Sequence, residues 1–184
     1  LEAGLYEGAA KKNRYNSPML IRSATNADAQ AVRELVFGVL GEYGLLAEHQ
    51  GVDADLADIE GNYISRGGLF DLVFEDTGEY PLPHGCGSVL REKLIGTVGL
   101  FPRGEGVAEL RKMYLLKSAR GKGLGKILLE RVLARARELG FRRIELETSS
   151  KLVEAIGLYK KYGFKPFSPE HIACRCDQAY VLDL

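Results

Sequence analysis

The chain has 184 residues, enough for one domain with a sizeable core. Its 25 Lys plus Arg equal its 25 Asp plus Glu, so the strong basic excess of a general nucleic-acid binder is absent. It is 46% apolar and 27% charged, and no apolar run approaches the roughly 18 residues that a membrane helix needs.

Residues 1–18 show no clean period, and Ser17-Pro18 marks a boundary. This stretch is expected to be an N-terminal extension, a processed product or a cloning-derived segment, with the domain at 19–184. No secretory signal is visible in it. Leu20–Arg22 reads as a first strand. Thr25-Asn26-Ala27-Asp28 supplies N-cap chemistry for a helix in which Ala31, Leu35, Val36 and Leu40 recur near helical spacing, with Gly41 and Gly44 at its end. A second helix is expected over Asp53–Ile64, a strand over Leu69–Glu75 and a loop over Asp76–Ser88. Strands follow at Leu94–Leu100 and Val107–Leu116. Ile127, Leu128, Val132, Ala136 and Leu139 then form a helical stripe closed by Gly140. Arg143–Thr148 reads as a strand, Lys151–Tyr162 as a helix and Gln178–Leu184 as a last strand. The order implies one mixed sheet with helices, an α/β or α+β domain.

The most informative stretch is Arg120-Gly121-Lys122-Gly123-Leu124-Gly125-Lys126, between a strand and a helix. Glycines let backbone N–H groups converge on a small anion, and the helix that follows puts its positive dipole end at the same point. Arg120, Lys122 and Lys126 add full charges. A nucleotide P-loop would require Ser or Thr after the lysine, and Ile127 stands there. The glycine spacing also departs from the Gly-x-Gly-x-x-Gly of dinucleotide folds. A glycine-rich turn with solvated lysines is the alternative.

Arg120-x-x-Gly123-x-Gly125 resembles the acyl-CoA signature of the GNAT superfamily of N-acetyltransferases. Ala155-Ile156-Gly157-Leu158-Tyr159-Lys160-Lys161-Tyr162-Gly163-Phe164 is similar to that family's A-x-x-L-Y-x-x-x-G-F segment. Together the two cover about residues 107–167, and residues 20–106 fit the family's element order more loosely. The resemblance implies a central, mostly antiparallel sheet flanked by helices, with acetyl-CoA as co-substrate, no metal, and direct transfer to a primary amine in a ternary complex. It places Met113, Tyr114 and Leu115 beside the pantetheine, pairing with its amides like a missing strand. The Leu115 N–H would polarise the thioester carbonyl. The backbone from Arg120 to Lys126 would hold the pyrophosphate, and Thr148 and Ser149 could bond the pantetheine or pyrophosphate. Ser150 is expected to cap the next helix.

An alkylammonium with pKa about 10.4 costs roughly 4–5 kcal/mol to deprotonate at pH 7, so a general base is the natural remedy. Glu109 lies six residues before Leu115, and even spacing puts both on one face if the strand is regular. Histone-acetyltransferase-type members carry a base glutamate at a matching offset, whereas the alternative is a surface or salt-bridged carboxylate. Glu147 on the facing strand is the next candidate, and Glu145 shares its face. Tyr159 matches the tyrosine that looks like the family's general acid, against the alternative of a helix aromatic packed on the sheet.

His171, Cys174 and Cys176 lack a standard zinc spacing even with Asp177, His84 or Cys86 as a fourth ligand. Buried thiols acting as small hydrophobes are the expectation. His49 and His84 fall in loop-like stretches. The odd cysteine count favours a reducing, cytoplasmic setting. The acceptor entrance is expected from residues 41–68, 76–92 and 167–176, with Glu42, Tyr43, Glu48, Asp53, Glu75 and Asp76 attracting a cationic small-molecule or peptide amine. No nucleic acid or membrane is expected as partner, and exposed edge strands leave room for a homodimer. A catalytically silent CoA-binding sensor is the competing function.

Overall fold

The computed structural model describes residues 19–81 and 88–184. Strands β1 (Met19–Ser23), β2 (Leu69–Pro81), β3 (Ser88–Gly104), β4 (Val107–Leu115), β5 (Arg143–Thr148), β6 (Lys165–Pro166) and β7 (Gln178–Asp183) form one sheet in the order β1-β2-β3-β4-β5-β7-β6. Every neighbouring pair is antiparallel except β4–β5, which runs parallel through the crossover helix α2 (Leu124–Glu138). The mixed sheet flanked by helices is the architecture expected from the sequence.

Each sheet face has its own apolar core. On one face α1 (Ala29–Glu42) lays down Val32, Val36 and Leu40 against Phe70 and Leu72. On the other, Leu128, Leu129 and Val132 of α2 and Ile156 of α3 (Val153–Lys161) cover Leu110, Ile144 and Leu146. The strict alternation of β5, with Ile144, Leu146 and Thr148 buried, follows from a strand whose two faces meet different environments.

Three expectations change. Asp53–Ile64 is not one helix but a 3-10 turn at Ala54–Ala57 and a π turn at Glu60–Ile64, because Asp58 leaves the helical region between them (φ −139°, ψ 81°), its carboxylate accepting from the Gly61 N–H and from Asn26 Nδ2 at 2.9 Å each. The β2–β3 hairpin runs further than its composition suggests. Backbone pairing continues to Pro81↔Ser88 past a register shift between Asp76 and Glu79, so residues 76–81 are strand and not loop. Helix α3 starts at Val153, with Leu152 as its N-cap. The Ser150 hydroxyl instead donates to Asp177 at 2.6 Å, as does its N–H, tying the end of β5 to the start of β7.

Strand β4 is irregular. Its register against β3 steps from Gly99↔Arg111 to Thr97↔Tyr114, so β4 carries one extra residue there. Lys112 sits at this bulge with φ 52°, in the left-handed region that non-glycine residues seldom occupy. Before the bulge Ala108 and Leu110 face the α2 core; after it Met113 and Leu115 do. Glu109 and Leu115 are therefore on opposite faces, and the even-spacing expectation fails because of the bulge.

Gly99 faces the α1 core just across from this irregularity. A Cβ there would lie 2.7 Å from Tyr63 Cε1 and 3.1 Å from Phe70 Cδ2. Gly99→Ala is expected to cost about 1–3 kcal/mol by overpacking, read as a lowered denaturant midpoint. An unchanged midpoint would show that the two rings give way freely.

Candidate active site

Strands β4 and β5 pair only over Val107↔Arg143, Ala108↔Ile144 and Glu109↔Glu145. Beyond Glu109 they splay, and a cleft of about 740 Å³ opens between them. Its walls come from β4, the glycine loop, the end of β5, α3 and the 171–176 segment. The Leu116 N–H donates to Ile95 O at 2.9 Å. That pairing turns the Leu115 N–H and C=O away from β3 and toward the splay, where Leu115 O accepts the Arg120 Nε–H at 2.9 Å. A polar strand edge thus faces an empty space of strand width.

The glycine loop closes one end. Gly121 and Gly123 have φ of 73° and 86°, and a Cβ on either would meet nothing within 4 Å. Gly123 is the N-cap of α2, so the first free N–H groups of a fifteen-residue helix open beside it. Leu124 is buried in the core beneath, and Gly125 comes close to Leu158. The side-chain charges are engaged elsewhere. Arg120 pairs with Glu42 at 2.7 Å and lies over the Tyr43 ring, and Lys126 lies 3.7 Å from Glu130. Lys122 is exposed. What this end offers an anion is chiefly main chain, plus the buried, unpartnered Nη2 of Arg120.

Met113 and Tyr159 meet midway along the cleft. The Tyr159 hydroxyl donates to Met113 Sδ at 3.9 Å, and the residue is almost fully buried. Burial pushes the Tyr159 phenol well above its ordinary value. Tyr114 points to the opposite face, where burial lifts its phenol to about 12 against the pull of nearby Arg175. Thr148 is buried at the cleft wall, and its carbonyl accepts the Asp177 N–H at 3.1 Å.

Glu109 lines the cleft, and its Oε2 accepts from Arg111 at 2.6 Å and from Arg103 at 3.3 Å. Glu147 also lines it, and its Oε2 accepts the Ala173 N–H at 2.8 Å. Glu145, the ladder partner of Glu109, instead pairs with Arg143 at 3.2 Å.

Sequence reasoning missed a buried ionic clasp behind this end. Asp53 Oδ1 accepts from Lys112 Nζ at 2.7 Å and from Arg175 Nη2 at 2.8 Å. Asp53 Oδ2 accepts from Arg175 Nη1 and from the Glu48 N–H. Lys112 Nζ also donates to Val52 O at 2.6 Å and lies 3.2 Å from Asp55. Asp55 in turn accepts from the Tyr63 hydroxyl at 2.6 Å. Three segments far apart in sequence (48–55, the β4 bulge and 171–176) are joined here, which no local pattern announces. The one available signal was Lys112, a charged residue inside an otherwise apolar-periodic strand.

The acidic entrance expected from Glu42, Glu48, Asp53, Glu75 and Asp76 does not form. Glu42 is taken by Arg120 and Asp53 by the clasp, and of that group only Tyr43 lines the cleft. Cys174 is exposed rather than buried, and Cys176 lines the cleft, its thiol pushed up to about 11 by burial and by neighbouring Glu147. The segment turns at 174–175 before β7 begins, so the two thiols are not on one strand face. Among the described residues no three His, Cys, Asp or Glu side chains are placed to share a metal ion. His84, Cys86 and residues 1–18 lie outside the described residues.

A model of the acetyltransferase (GNAT) family matches residues 56–164. The chain is 34% identical over 154 residues to YjgM, an uncharacterised N-acetyltransferase of Escherichia coli (strain K12), covering 81% of this chain and 83% of that protein. In fold it is similar to an acetyltransferase of the GNAT family from Staphylococcus aureus Mu50 (TM-score 0.74, 22% identity, 90% of this chain and 99% of that one). It is also similar to a GNAT superfamily phosphinothricin acetyltransferase from Sinorhizobium meliloti in complex with acetyl-CoA (TM-score 0.64, 19% identity, 90% and 88%).

The clasp sets an acid limit on the fold. Burial pushes the Asp53 carboxyl up, but the Arg175 bonds, the Lys112 charge and bond, and the Glu48 N–H together outweigh it and hold the group at about 2, below the ordinary 3.8. A depressed carboxyl stabilises the folded state above 3.8 and loses that contribution as pH falls through 2, roughly 2 kcal/mol in all. Acid titration of the denaturant midpoint should therefore fall between pH 4 and 2 in the native protein. Asp53→Asn should flatten that fall while lowering stability at neutral pH by about 3–5 kcal/mol, because two buried cations lose their counter-charge. A native-like acid profile in that variant would assign the acid limit to other carboxylates.

Proposed function

The chain belongs to the acetyltransferase (GNAT) family and is an acetyl-CoA-dependent N-acetyltransferase, and from that premise we propose that it passes the acetyl group directly to a primary amine in a ternary complex held in the β4–β5 cleft. The observation that carries this reading is the splay itself, with the Leu115 N–H turned into it and the glycine loop at its end.

The unpaired edge of residues 113–115 is suited to the amides of a pantetheine arm, which would complete the ladder that β5 leaves open. The open space beside Gly121 and Gly123, the start of α2 and the unpartnered Arg120 Nη2 suit a pyrophosphate. Leu115 N–H donation to the thioester oxygen would stabilise charge that appears only as the amine attacks.

Two proton problems remain, and the cleft has groups for both. Glu109 is the proposed proton acceptor for the ammonium, oriented by the guanidinium of Arg111. A second reading assigns that role to Glu147, which has no ion pair among the described residues and is oriented by the Ala173 N–H. Tyr159 stays protonated across the working pH range because burial raises it. It is therefore a weaker acid than a thiol of pKa about 8.5 and acts by donating a hydrogen bond to the leaving sulfur, not by surrendering its proton ahead of it. Its bond to Met113 Sδ marks a sulfur-accepting geometry at that depth. Three acid–base side chains converging on one cleft weigh against a silent sensor.

Thiol release from acetyl-CoA against a panel of amines tests the activity. Tyr159→Phe is expected to lower kcat about 10- to 100-fold, the worth of a hydrogen bond to a charged acceptor, and full turnover in that variant would remove it from the reaction. Glu109→Gln is expected to lower kcat/KM at pH 7 by about 100-fold or more. The loss should shrink as pH rises toward the pKa of the amine, since the free amine then needs no base. Native turnover in Glu109→Gln with loss in Glu147→Gln would move the base to β5.

A further inference from the structure

Ionic side chains reach the cleft from the strands at Arg103, Glu109, Arg111, Lys112 and Glu147 and from the 171–176 segment at Arg175, with Asp53 and Asp55 behind them, while the exposed Glu154 and His171 line it from α3 and the 171–176 segment. Lys112 and Arg175 are satisfied by Asp53, with Asp55 also beside Lys112. Arg111 is held by Glu109 at 2.6 Å and lies 3.5 Å from Asp55. Three cations and three carboxylates thus neutralise one another within the wall. Arg103 reaches only Glu109 Oε2, an oxygen that Arg111 already holds more closely, and its side chain is 51% exposed. Among the described residues Glu147 meets no cation, only the neutral Ala173 N–H.

Of the side chains that the strands bring to the cleft, one cation, Arg103, shares a carboxylate oxygen that Arg111 holds more closely, and one anion, Glu147, has no cation partner among the described residues. They are also ordered along the sheet. Arg103 is placed beside Glu109, whose ladder partner is Glu145. Glu147 is two residues further along β5 on the same face, about 7 Å deeper toward the splay at strand rise. The anion is thus nearer the reacting end and the cation nearer the mouth.

We propose that the acceptor is an amine that also carries a carboxylate or like acidic group, as an amino acid does, with its ammonium drawn to the Glu147 side and its acidic group recognised by Arg103. This rests on the acetyl-transfer reading above in its second form, with Glu147 rather than Glu109 as the proton acceptor, and names the substrate class of that same cleft. A plain alkylamine would answer only one of the two charges and leave the Arg103 guanidinium, a fork suited to a carboxylate, without its partner. A polycationic peptide would set like charge against Arg103 and the cations behind it.

The test uses the full chain with acetyl-CoA and a panel of L-phenylalanine, L-methionine and L-leucine, each beside its α-carboxamide and its decarboxylated amine, together with 4-aminobutyrate beside butylamine. Thiol release is read as kcat/KM for each. The expected result is at least a ten-fold preference for the free acids over their matched neutral partners, with Arg103→Gln abolishing the preference while leaving the KM for acetyl-CoA within two-fold. Plain amines or carboxamides turned over as well as the acids would overturn the proposal and leave the acetyl-transfer reading standing. So would a preference that survives in Arg103→Gln. Acetyl-CoA bound with no thiol release from any member of the panel would overturn the acetyl-transfer reading, and this proposal with it.

Discussion

The extra residue at Lys112 is the constraint on which the site depends. A regular β4 would pair with β5 along its length, and no cleft would exist. The bulge and the splay instead leave a strand edge unpaired inside the protein, which is costly unless something holds it open and something else later pairs with it. The holding falls to buried groups. Thr97 donates its hydroxyl to Lys112 O at 2.7 Å on one side, and Asp53, Asp55 and Val52 O bind Lys112 Nζ on the other. A lysine in a left-handed backbone conformation carries strain, and one almost wholly buried carries a desolvation cost. The surrounding carboxylates offset both. The strain sits at the point where the strand must leave its neighbour.

The same buried carboxylate reaches across to Arg175, so the segment 171–176 is fixed to the core rather than merely lying over it. The second tie of that segment, from the Ala173 N–H to Glu147, comes from β5. Its two anchors therefore belong to the two strands that splay, one through Lys112 on β4 and one directly. A change that relaxed the bulge would loosen the roof of the acceptor end with it, which couples the shape of that end to the geometry that opens the donor end.

How far the sequence could be read follows from how local each feature is. β5, α1 and α2 repeat their apolar residues at the period of their own element, so their burial pattern is written in a short window. The glycine loop was legible for a related reason: backbone that must approach an anion excludes Cβ, and glycine records that exclusion residue by residue. The turns at 54–64, the long β2–β3 hairpin and the bulge were not legible. Each is decided by what packs against it from elsewhere in the chain. Asp53 illustrates this best, since it reads as an ordinary surface acid beside Gly51 and Asp55 until Lys112 and Arg175 are brought to it. Reading Asp53 as bait for a cationic amine failed for that reason, because its charge was already spent inside the wall.

The two ends of the cleft are therefore built from different materials. The donor end uses main chain, a helix start and glycines, and side-chain charge there is turned outward to Glu42 and Glu130. The acceptor end is built from side-chain charge contributed by five segments, and most of that charge is consumed in holding the segments together. Recognition by main chain depends on backbone geometry, and only the glycines record it in the sequence. Recognition by the charges left over after structural pairing behaves differently. Exchanging one partner in the wall alters which charge remains uncompensated. The selectivity of such a cleft lies in a difference between cations and carboxylates that only the folded arrangement reveals, and in this chain that difference comes down to Arg103 and Glu147.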